Sequence, residues 1–408
     1  MTKYLLIGNS AAGIFAADAI RQRDRAGEIT ILSTEREMAY SRCLTTYYVG
    51  GKTSKCGMYI RPASYYTDQN IKLLGGVRAV DLDPVNKTVA LADGRGIPYD
   101  KLLIASGASA NQADLPGARA GDIHVMRTLA DAERLLAQIK AGKNCIAVLG
   151  GGLVSLKTAA ALAENGADVT VVVTSQNILS QQFDKVGADL LMTRLKINGV
   201  KFILGASAQE VSYSNDGAEK LLHLTDGSQL AVDVIFMGKG VTPNTDFFPA
   251  TLAMSGLGVK TDIHMATNLS DIYAAGDVAM SFDKLTGQAA AYAIWPAAAE
   301  QGEVAGANMA GETMEYGGAL SMNSLHFFGL KAICAGDSRG KTPDATVEYE
   351  LCPERSLYRK CVFVQGRLVG FILVGAVDSA GVLLHCLGRE LTFAQCLTIL
   401  DQGFSLGE

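Results

Sequence analysis

The chain has 408 residues, of which 49% are hydrophobic and 19% charged, so it can bury a large core and is not a disordered chain. This length favours two or three domains over a single core. The formal net charge of -5 and the lack of a basic run argue against nucleic acid as a main partner.

The N-terminus, "MTKYLLIGNSAAG", has an apolar run too short for a secretory signal, and it leads into a glycine motif instead of a cleavage site. No stretch approaches the roughly 18 consecutive apolar residues of a membrane span. We therefore expect a cytoplasmic protein with no membrane partner. The 8 cysteines are scattered without a CxxC pair, which predicts reduced thiols and no metal or iron–sulfur site in this chain.

The first predicted elements are an apolar strand, a glycine turn and a helix, "KYLLIGNSAAGIFAADAIRQ". They fit the GxGxxG pattern except that a serine occupies the middle position. The first glycine permits the tight turn and the last lets the helix pack close to the strand, so the N–H groups at the helix start face a pyrophosphate. A second strand, "EITILSTE", ends near an acid that could hold a ribose hydroxyl. The predicted dinucleotide contacts are Gly8, Ser10, Ala11, Ala12, Gly13 and Glu35.

The same arrangement recurs about 140 residues later in "NCIAVLGGGLVSLKTAAALAENGADVTVVVTS". Two glycines are in place, while Ser155 replaces the third. Two such units in one chain predict two dinucleotide sites, for which FAD and a nicotinamide nucleotide are the usual combination. The predicted contacts of the second turn are Gly150, Gly152, Leu153 and Val154.

The second strand of this unit ends in Val173, Thr174 and Ser175, so Thr174 is a predicted nucleotide contact. NAD-specific sites commonly have an acid at this point, and a 2′-phosphate is commonly met by an arginine. This chain has neither. The lack of a basic cluster favours NADH, and NADPH stays open.

Three further segments end in turns that belong with these units, "YDKLLIASGASAN", "VDVIFMGKGVTPNTDF" and "LSDIYAAGDVAM". Together the five segments resemble the flavoproteins with two dinucleotide-binding domains, the pyridine nucleotide–disulfide oxidoreductases. In that family the first of these turns returns the chain between domains, and the Gly-Asp turn contacts the ribityl or phosphate oxygens of FAD. The resemblance implies cofactor contacts at Ala105, Ser106, Gly107, Gly240, Gly276 and Asp277.

Within the family, "AYSR", "IWPAAAEQGEVAGANMAG" and "NSLHFFGLKAICAG" are similar to one branch. That branch contains the NADH:rubredoxin reductases and the flavin domain of assimilatory nitrite reductases. The flavoprotein subunits of some anaerobic aldehyde or 2-oxoacid oxidoreductases are also similar. The resemblance covers nearly the whole chain.

The resemblance assigns four more residues. Arg42 would approach the FAD pyrophosphate, where a guanidinium fork suits paired phosphate oxygens. Arg127 would lie near the flavin or the returning chain, and Trp295 would begin a helix that points at the flavin. Lys157 stands where some relatives have the glutamate that positions the nicotinamide, and it could meet the nucleotide phosphate or an acid elsewhere. A surface role for the arginines and a structural role for Trp295 are the alternatives.

We therefore expect an α/β fold with two Rossmann-like dinucleotide-binding domains, for FAD and NAD(P), and a C-terminal α+β interface domain. The discontinuous FAD domain would contain 1–112 and 241–315, and the NAD(P) domain 113–240. In the interface domain, 318–408, "RKCVFVQGRLVGFILVG" predicts two strands around a turn and "SAGVLLHCLGREL" predicts a helix. In relatives this domain pairs subunits or docks a partner, and whether this chain forms a homodimer stays open.

The expected activity is FAD-dependent oxidation of NAD(P)H. Hydride would move between NADH and FAD, with electrons passing to or from an iron–sulfur protein such as rubredoxin or ferredoxin, or subunits of a larger complex. The direction of electron flow stays open, and so do two other functions.

Cys43, in "MAYSRCLTTYY", lies where single-cysteine reductases of coenzyme A disulfide, persulfide or peroxide carry their thiol. Its context differs from theirs, which favours a structural role. The departure at Lys157 leaves open a low-turnover, nucleotide-sensing subunit.

Overall fold

The structure, a computed structural model, describes residues 1–214, 217 and 219–402. Its internal contacts divide the chain into two compact units. Unit 1 contains Met1–Cys43, Lys55–Ser109 and Val241–Leu320, and unit 2 contains Leu44–Ser54, Ala110–Gly240 and Ser321–Glu408. The division into three domains with the boundaries given above stays a prediction.

The α-helices found in the described residues are α1 (Ala11–Arg23), α2 (Thr45–Val49), α3 (Lys55–Met58), α4 (Tyr65–Asp68), α5 (Leu129–Lys140), α6 (Leu153–Glu164), α7 (Lys185–Ile197), α8 (Trp295–Met309), α9 (Ala380–His385) and α10 (Phe393–Gln402). Short 3-10 helices lie at Arg42–Leu44 and Pro353–Arg355.

The strands of the same residues are β1 (Lys3–Ile7), β2 (Glu28–Ser33), β3 (Ile71–Gly75), β4 (Ala79–Asp83), β5 (Thr88–Leu91), β6 (Gly96–Pro98), β7 (Lys101–Ile104), β8 (Ala108–Ala110), β9 (Ile123–His124), β10 (Cys145–Leu149), β11 (Asp168–Val173), β12 (Lys201–Leu204), β13 (Ala208–Tyr213), β14 (Lys220–Leu224), β15 (Gln229–Ala231), β16 (Val234–Met237), β17 (Val241–Pro243), β18 (Met254–Ser255), β19 (Gly258–Lys260), β20 (Ile272–Ala274), β21 (Ala279–Phe282), β22 (Ala289–Ala290), β23 (Met322–Phe327), β24 (Leu330–Gly336), β25 (Thr346–Cys352), β26 (Leu357–Val364) and β27 (Arg367–Val374).

Unit 1 is built on a five-stranded parallel sheet in the order β20–β7–β1–β2–β3. Its strands are apolar runs, as expected for a parallel sheet with buried faces. Helices α1 and α8 pack closely because a Cβ at Gly302 or Gly306 would overlap the carbonyl groups of Ala12 and Ala16. This close packing fixes the start of both helices beside the carboxyl end of the sheet, where such folds bind ligands.

Unit 2 has a second five-stranded parallel sheet, in the order β12–β11–β10–β16–β9. In each sheet a glycine turn follows the central strand, which is β1 in unit 1 and β10 in unit 2. The expected α/β class with two Rossmann-like sheets is therefore confirmed.

Unit 2 also contains an antiparallel sheet in the order β23–β24–β27–β26–β25. The predicted strand pair is β26 and β27, joined by a turn in which Gln365 and Gly366 have φ values of 50° and 75°. The predicted helix of the same region contains α9.

One face of the antiparallel sheet packs against α7. Asp184, the N-cap of α7, accepts hydrogen bonds from the Tyr358 hydroxyl (2.7 Å) and from the buried Lys360 ammonium (2.9 Å). A Cβ at Gly187 would lie within 3.4 Å of Ile372, so the helix backbone comes close to the sheet. Within the part of the chain that the structure describes, no helix has the length and apolar character to cross a membrane.

Candidate functional site

The first glycine turn joins β1 to α1 in unit 1. Gly8 has φ of 133°, which favours glycine, and a Cβ there would overlap the carbonyl of Ala105. A Cβ at Gly13 would overlap the carbonyl of Gly8. Ile14 donates to the Ser10 carbonyl at 3.0 Å, so the N–H groups of Ala11 and Ala12 precede the first helical hydrogen bond. The turn thus presents helix N–H groups to an anion.

The acid at the end of β2 is held by two donors. The Tyr40 hydroxyl donates to Glu35 at 2.7 Å, and the Arg42 guanidinium donates to it at 2.5 Å. Arg42 also donates to the Tyr40 hydroxyl at 3.2 Å. Burial alone would lower the pKa of Arg42, but the nearby Tyr40, Glu35 and Asp277 raise it above its ordinary value. The structure therefore brings together three predicted FAD contacts, Glu35, Arg42 and Asp277.

The turn after β7 is fixed by Asn244, a residue of the quoted segment to which the sequence assigned no role. The Ser106 hydroxyl donates to the Asn244 carbonyl at 2.9 Å, and the Asn244 side chain donates to the Ser106 carbonyl at the same distance. The Asn244 N–H donates to the Gly107 carbonyl at 3.0 Å. Ala105 in turn lies against Gly8, so this turn supports the first glycine turn.

The Gly-Asp turn after β20 depends on a second residue that the sequence analysis missed, Gln301. Its side-chain oxygen accepts a hydrogen bond from the N–H of Gly276 at 2.8 Å. Its amide donates to the hydroxyls of Ser281 (3.1 Å) and Tyr316 (3.3 Å). Gln301 is buried in α8, and the only available signal was its place inside the quoted segment that begins with Trp295. It positions Gly276, and with it the neighbouring Asp277.

Trp295 is the first residue of α8, as predicted, and its ring packs partly buried against the unit 1 core. Unit 1 thus contains a glycine turn that leads into the N–H groups of a helix start, together with a carboxylate, a guanidinium and a strand-end aspartate. These groups fit a dinucleotide such as FAD, whose pyrophosphate needs N–H and cationic donors and whose hydroxyls need acceptors.

The second glycine turn joins β10 to α6 in unit 2. Gly150 has φ of 118°, and its N–H donates to the Val172 carbonyl at 2.9 Å. The serine that replaces the third glycine is explained by the neighbouring strand end. Ser155 is fully buried and donates to the Gly238 carbonyl at 3.2 Å, while Gly238 has no room for a Cβ beside the Ser155 hydroxyl.

The groove beside this turn has room for a ligand. A Cβ at Gly152 would meet no atom of the described residues within 4 Å, and α6 then begins at Leu153, followed by the exposed Val154. At the end of β11 the hydroxyls of Thr174 and Ser207 lie 2.8 Å apart. Polar but uncharged groups therefore occupy the position where a nucleotide ribose is recognised in this fold.

Lys157 lies on α6 in a solvent-open cleft. The cleft also contains Lys52, Glu164 and His326, and the Lys52 ammonium donates to Glu164 at 2.8 Å. A lysine at this point thus lies in a charged groove of unit 2.

Gly240 ends the turn after β16 with φ of 82°, which explains why a glycine is required there.

Arg127 lies immediately before the N-cap of α5. Its N–H donates to Asp131 at 3.0 Å, and Thr128 and Asp131 form a capping box at the helix start. The backbone of Arg127 is therefore held in place by the helix that follows.

Cys43 is an exposed, free thiol in the 3-10 helix that follows Tyr40. The guanidinium beside it in sequence is already bound by Glu35 and Tyr40, so its charge is largely balanced. In the residues that the structure describes, no three His, Cys, Asp or Glu side chains are grouped to hold a metal ion.

Comparisons with known proteins agree with this geometry. The family model described as pyridine nucleotide-disulphide oxidoreductase matches residues 2–302. The chain is 33% identical over 393 residues to the epsilon subunit of NADH-dependent phenylglyoxylate dehydrogenase from Aromatoleum evansii, covering 95% of this chain and 92% of that protein. It is 28% identical over 392 residues to NADH-rubredoxin oxidoreductase from Clostridium acetobutylicum, covering 96% of each.

A solved structure, NADH:rubredoxin oxidoreductase from Clostridium acetobutylicum, has a TM-score of 0.78 with 27% identity and covers 96% of each chain. The resemblance stated from the sequence is therefore confirmed. The chain belongs to the pyridine nucleotide-disulphide oxidoreductase family and is an FAD-dependent NAD(P)H oxidoreductase.

Proposed function

We propose that this chain passes electrons between NADH and an iron–sulfur protein, either a small carrier of the rubredoxin or ferredoxin kind or a subunit of a larger oxidoreductase. The observation that carries the proposal is the pair of glycine-turn sites, one in each unit. Support for the partner comes from the two relatives described above, one named for rubredoxin and one named as a subunit of a dehydrogenase. The reaction could run in either direction.

In this proposal unit 1 holds FAD. The N–H groups between Gly8 and Gly13 and the Arg42 guanidinium bind the pyrophosphate, and Asp277 accepts a hydrogen bond from a hydroxyl of the ribityl chain. Glu35 accepts from the adenine ribose and orients Arg42 at the same time. Ala105, Ser106 and Gly107 support the first turn. Arg127 and Trp295 are proposed to lie toward the flavin.

Unit 2 is proposed to hold the nicotinamide nucleotide. N–H groups after Gly150 and Gly152 bind its pyrophosphate, and Thr174 meets a ribose hydroxyl. Gly240 shapes the edge of this site and Lys157 contacts the nucleotide. Bound FAD supplies the hydride acceptor or donor, so the protein contributes mainly by positioning the two ring systems. No side chain of this account needs to act as a general acid or base.

We further propose a cytoplasmic location, because scattered free cysteines suit a reducing compartment. Residues 318–408 are proposed to form a domain that contacts partners. Whether they also form a homodimer interface is part of the same proposal and is tested by the association state of the chain in solution.

The test is an oxygen-free assay with NADH and purified rubredoxin or ferredoxin, followed by bleaching of the carrier's visible absorbance. A tetrazolium dye is the positive control for flavin reduction. We expect both dye and carrier to be reduced at above roughly one turnover per second, the ordinary enzymatic range. Fast reduction of the dye without reduction of either carrier would contradict a small iron–sulfur carrier as the partner. Slow reduction of the dye itself would favour the nucleotide-sensing alternative.

The thiol alternative has its own test in the same assay. A Cys43→Ser variant should reduce dye and carrier at unchanged rates if the sulfur is structural. The wild-type chain should then show no NADH-dependent turnover of coenzyme A disulfide, persulfide or peroxide. Turnover of one of these that the variant loses would establish the single-cysteine function instead.

A further inference from the structure

The antiparallel sheet of unit 2 ends in an open strand. β25 pairs with β26 along its whole length, from Thr346 opposite Phe363 to Cys352 opposite Leu357, without a register shift. Among the described residues, no strand pairs with its other edge, because β25 is the last strand in the sheet order. A straight edge of seven residues leaves a row of backbone N–H and C=O groups that another strand could pair with.

One face of β25 is apolar and exposed. Val347, Tyr349 and Leu351 are 43%, 58% and 39% exposed, and they alternate along the strand, so their side chains share one face. The Tyr349 ring lies 5.9 Å from the Tyr358 ring of the neighbouring strand, which steadies it. Edge strands of soluble proteins usually carry a lysine, a proline or a bulge that prevents pairing. β25 has no lysine, proline or bulge within its seven residues, and its two charged side chains, Glu348 and Glu350, lie on the face opposite the apolar row.

The opposite edge of the sheet offers a contrast. The exposed side chains of β23 are Ser324 and His326, both polar. The apolar row is therefore specific to β25 and is not a general property of the edges of this sheet.

The other face of β25 is acidic. Glu348 and Glu350 point to the side on which Arg359 lies, and Arg359 is bound by Glu350 (3.2 Å) and by Asp401 (2.6 Å). Two carboxylates, those of Glu350 and Asp401, thus share one guanidinium on this face, and Glu348 adds a third negative charge to it. A strand that pairs here meets excess negative charge at alternate positions and apolar side chains at the positions between them.

This charge pattern disfavours a second copy of the same strand. If two copies pair in antiparallel fashion about Tyr349, Glu348 of each copy lies opposite Glu350 of the other. If the register moves by one pair in either direction, Glu348 or Glu350 of one copy lies opposite the same residue of the other copy. Like charges directly opposite each other destabilise a strand pair.

We propose that β25 accepts an extended strand of a partner protein whose side chains alternate between basic and apolar, so that the sheet grows to six strands. Main-chain hydrogen bonds would supply the pairing, the basic side chains would meet Glu348 and Glu350, and the apolar ones would cover Val347, Tyr349 and Leu351. The inference concerns a surface of unit 2 and does not depend on the identity of the electron acceptor.

The probe is a fluorescent nine-residue peptide of alternating lysine and valine, N-methylated along one edge so that it cannot stack on itself. The control peptide has glutamate in place of lysine. We expect the flavin-loaded chain to bind the lysine peptide about tenfold more tightly at 0.1 M salt, and the amide hydrogens of residues 346–352 to exchange more slowly when it is bound.

Three variants locate the binding. Tyr349→Lys should weaken the lysine peptide about tenfold or more, because it puts a like charge on the edge, while NADH-dependent dye reduction stays unchanged. His326→Lys, on the opposite edge, should leave binding as it is. Glu348→Lys should remove the preference for the lysine peptide. If Tyr349→Lys folds poorly, Val347→Thr provides the milder test of the apolar row.

Equal affinity for the two peptides, or no slowing of exchange in residues 346–352, would overturn the proposal. A dimer of the chain that sediments as such and that Tyr349→Lys dissociates would also overturn it, because the edge would then belong to a second copy.

Discussion

At the scale of single residues, the strictest requirement in the FAD site is the lack of a side chain at Gly8. Alanine there would have to adopt a φ of 133°, and its Cβ would overlap the Ala105 carbonyl. We expect Gly8→Ala to lower the free energy of unfolding by more than ~2 kcal/mol and to yield protein with little bound flavin. The measurements are the thermal midpoint and the ratio of flavin to protein absorbance.

The matched control is Gly381→Ala. Gly381 lies in α9, where a Cβ meets no atom of the described residues within 4 Å. Alanine should be neutral or slightly stabilising in this helix. Full flavin content in the Gly8→Ala protein would contradict the role given to the first turn.

Gln301 provides a second prediction at this scale. Replacing it with alanine leaves the Gly276 N–H without its acceptor and the hydroxyls of Ser281 and Tyr316 without their donor. We expect a loss of about 1–3 kcal/mol in stability and weaker flavin binding. Equilibrium unfolding and flavin release by dialysis measure the two effects, with the exposed Gln112→Ala as control. Flavin affinity equal to that of the control would show that Gln301 does not position the Gly276 turn.

Between elements, the contact of α7 with the antiparallel sheet depends on a buried ion pair. Asp184→Asn keeps an N-cap residue at the start of α7 but removes the charge that faces the Lys360 ammonium. We expect a loss of about 2–4 kcal/mol, because the buried cation no longer has an ionic partner. Adding Lys360→Met should recover much of that loss, as urea unfolding of the single and double variants would show. Additive losses would mean that the two side chains do not interact.

Asp271 lies before β20 and accepts hydrogen bonds from Lys101 in β7 and Lys87, each at 2.6 Å. Hydrogen bonding to these two ammonium groups lowers its pKa below the usual value. A lowered pKa in the folded state stabilises the protein at pH values above the unfolded pKa, and this contribution is lost as the pH falls through the folded pKa. The free energy of unfolding of wild type should therefore exceed that of Asp271→Asn by a constant amount above pH ~5. This difference should shrink below pH ~4.

Thermal midpoints of the two proteins, measured across these pH values, test whether the stability difference shrinks as the pH falls. Asparagine suits the φ of 64° at this position, so the substitution adds no backbone strain. Asp93→Asn is the control, because Asp93 pairs with Arg95 at the exposed end of a turn and should contribute little. A difference that grows as the pH falls would contradict the assignment.

The sequence predicted the strands of the quoted segments, the two glycine turns and the turn between β26 and β27 because each depends on local chemistry: apolar runs, and glycines followed by a helix or by the next strand. It did not predict what Ser155 does, since its partner, the Gly238 carbonyl, lies at the end of a strand far along the chain. The same holds for Asn244 and Gln301, whose importance rests on hydrogen bonds to turns far away along the chain. The Glu35–Arg42 pair was foreseen only as two separate contacts.

At the scale of the whole molecule, we propose that flavin is the only redox group of this chain and that NADH reduces it directly. Cys43, the exposed thiol that the family resemblance places at the single-cysteine position, is the candidate for a second electron store, and the binding of Arg42 by Glu35 weakens the case for it.

The most direct test is an oxygen-free titration of the purified yellow protein with NADH, followed by visible absorbance. Our account predicts full bleaching of the flavin by about one equivalent of NADH per FAD. A requirement for about two equivalents, with a long-wavelength thiolate–flavin band after the first, would contradict it and make Cys43 a redox partner of the flavin.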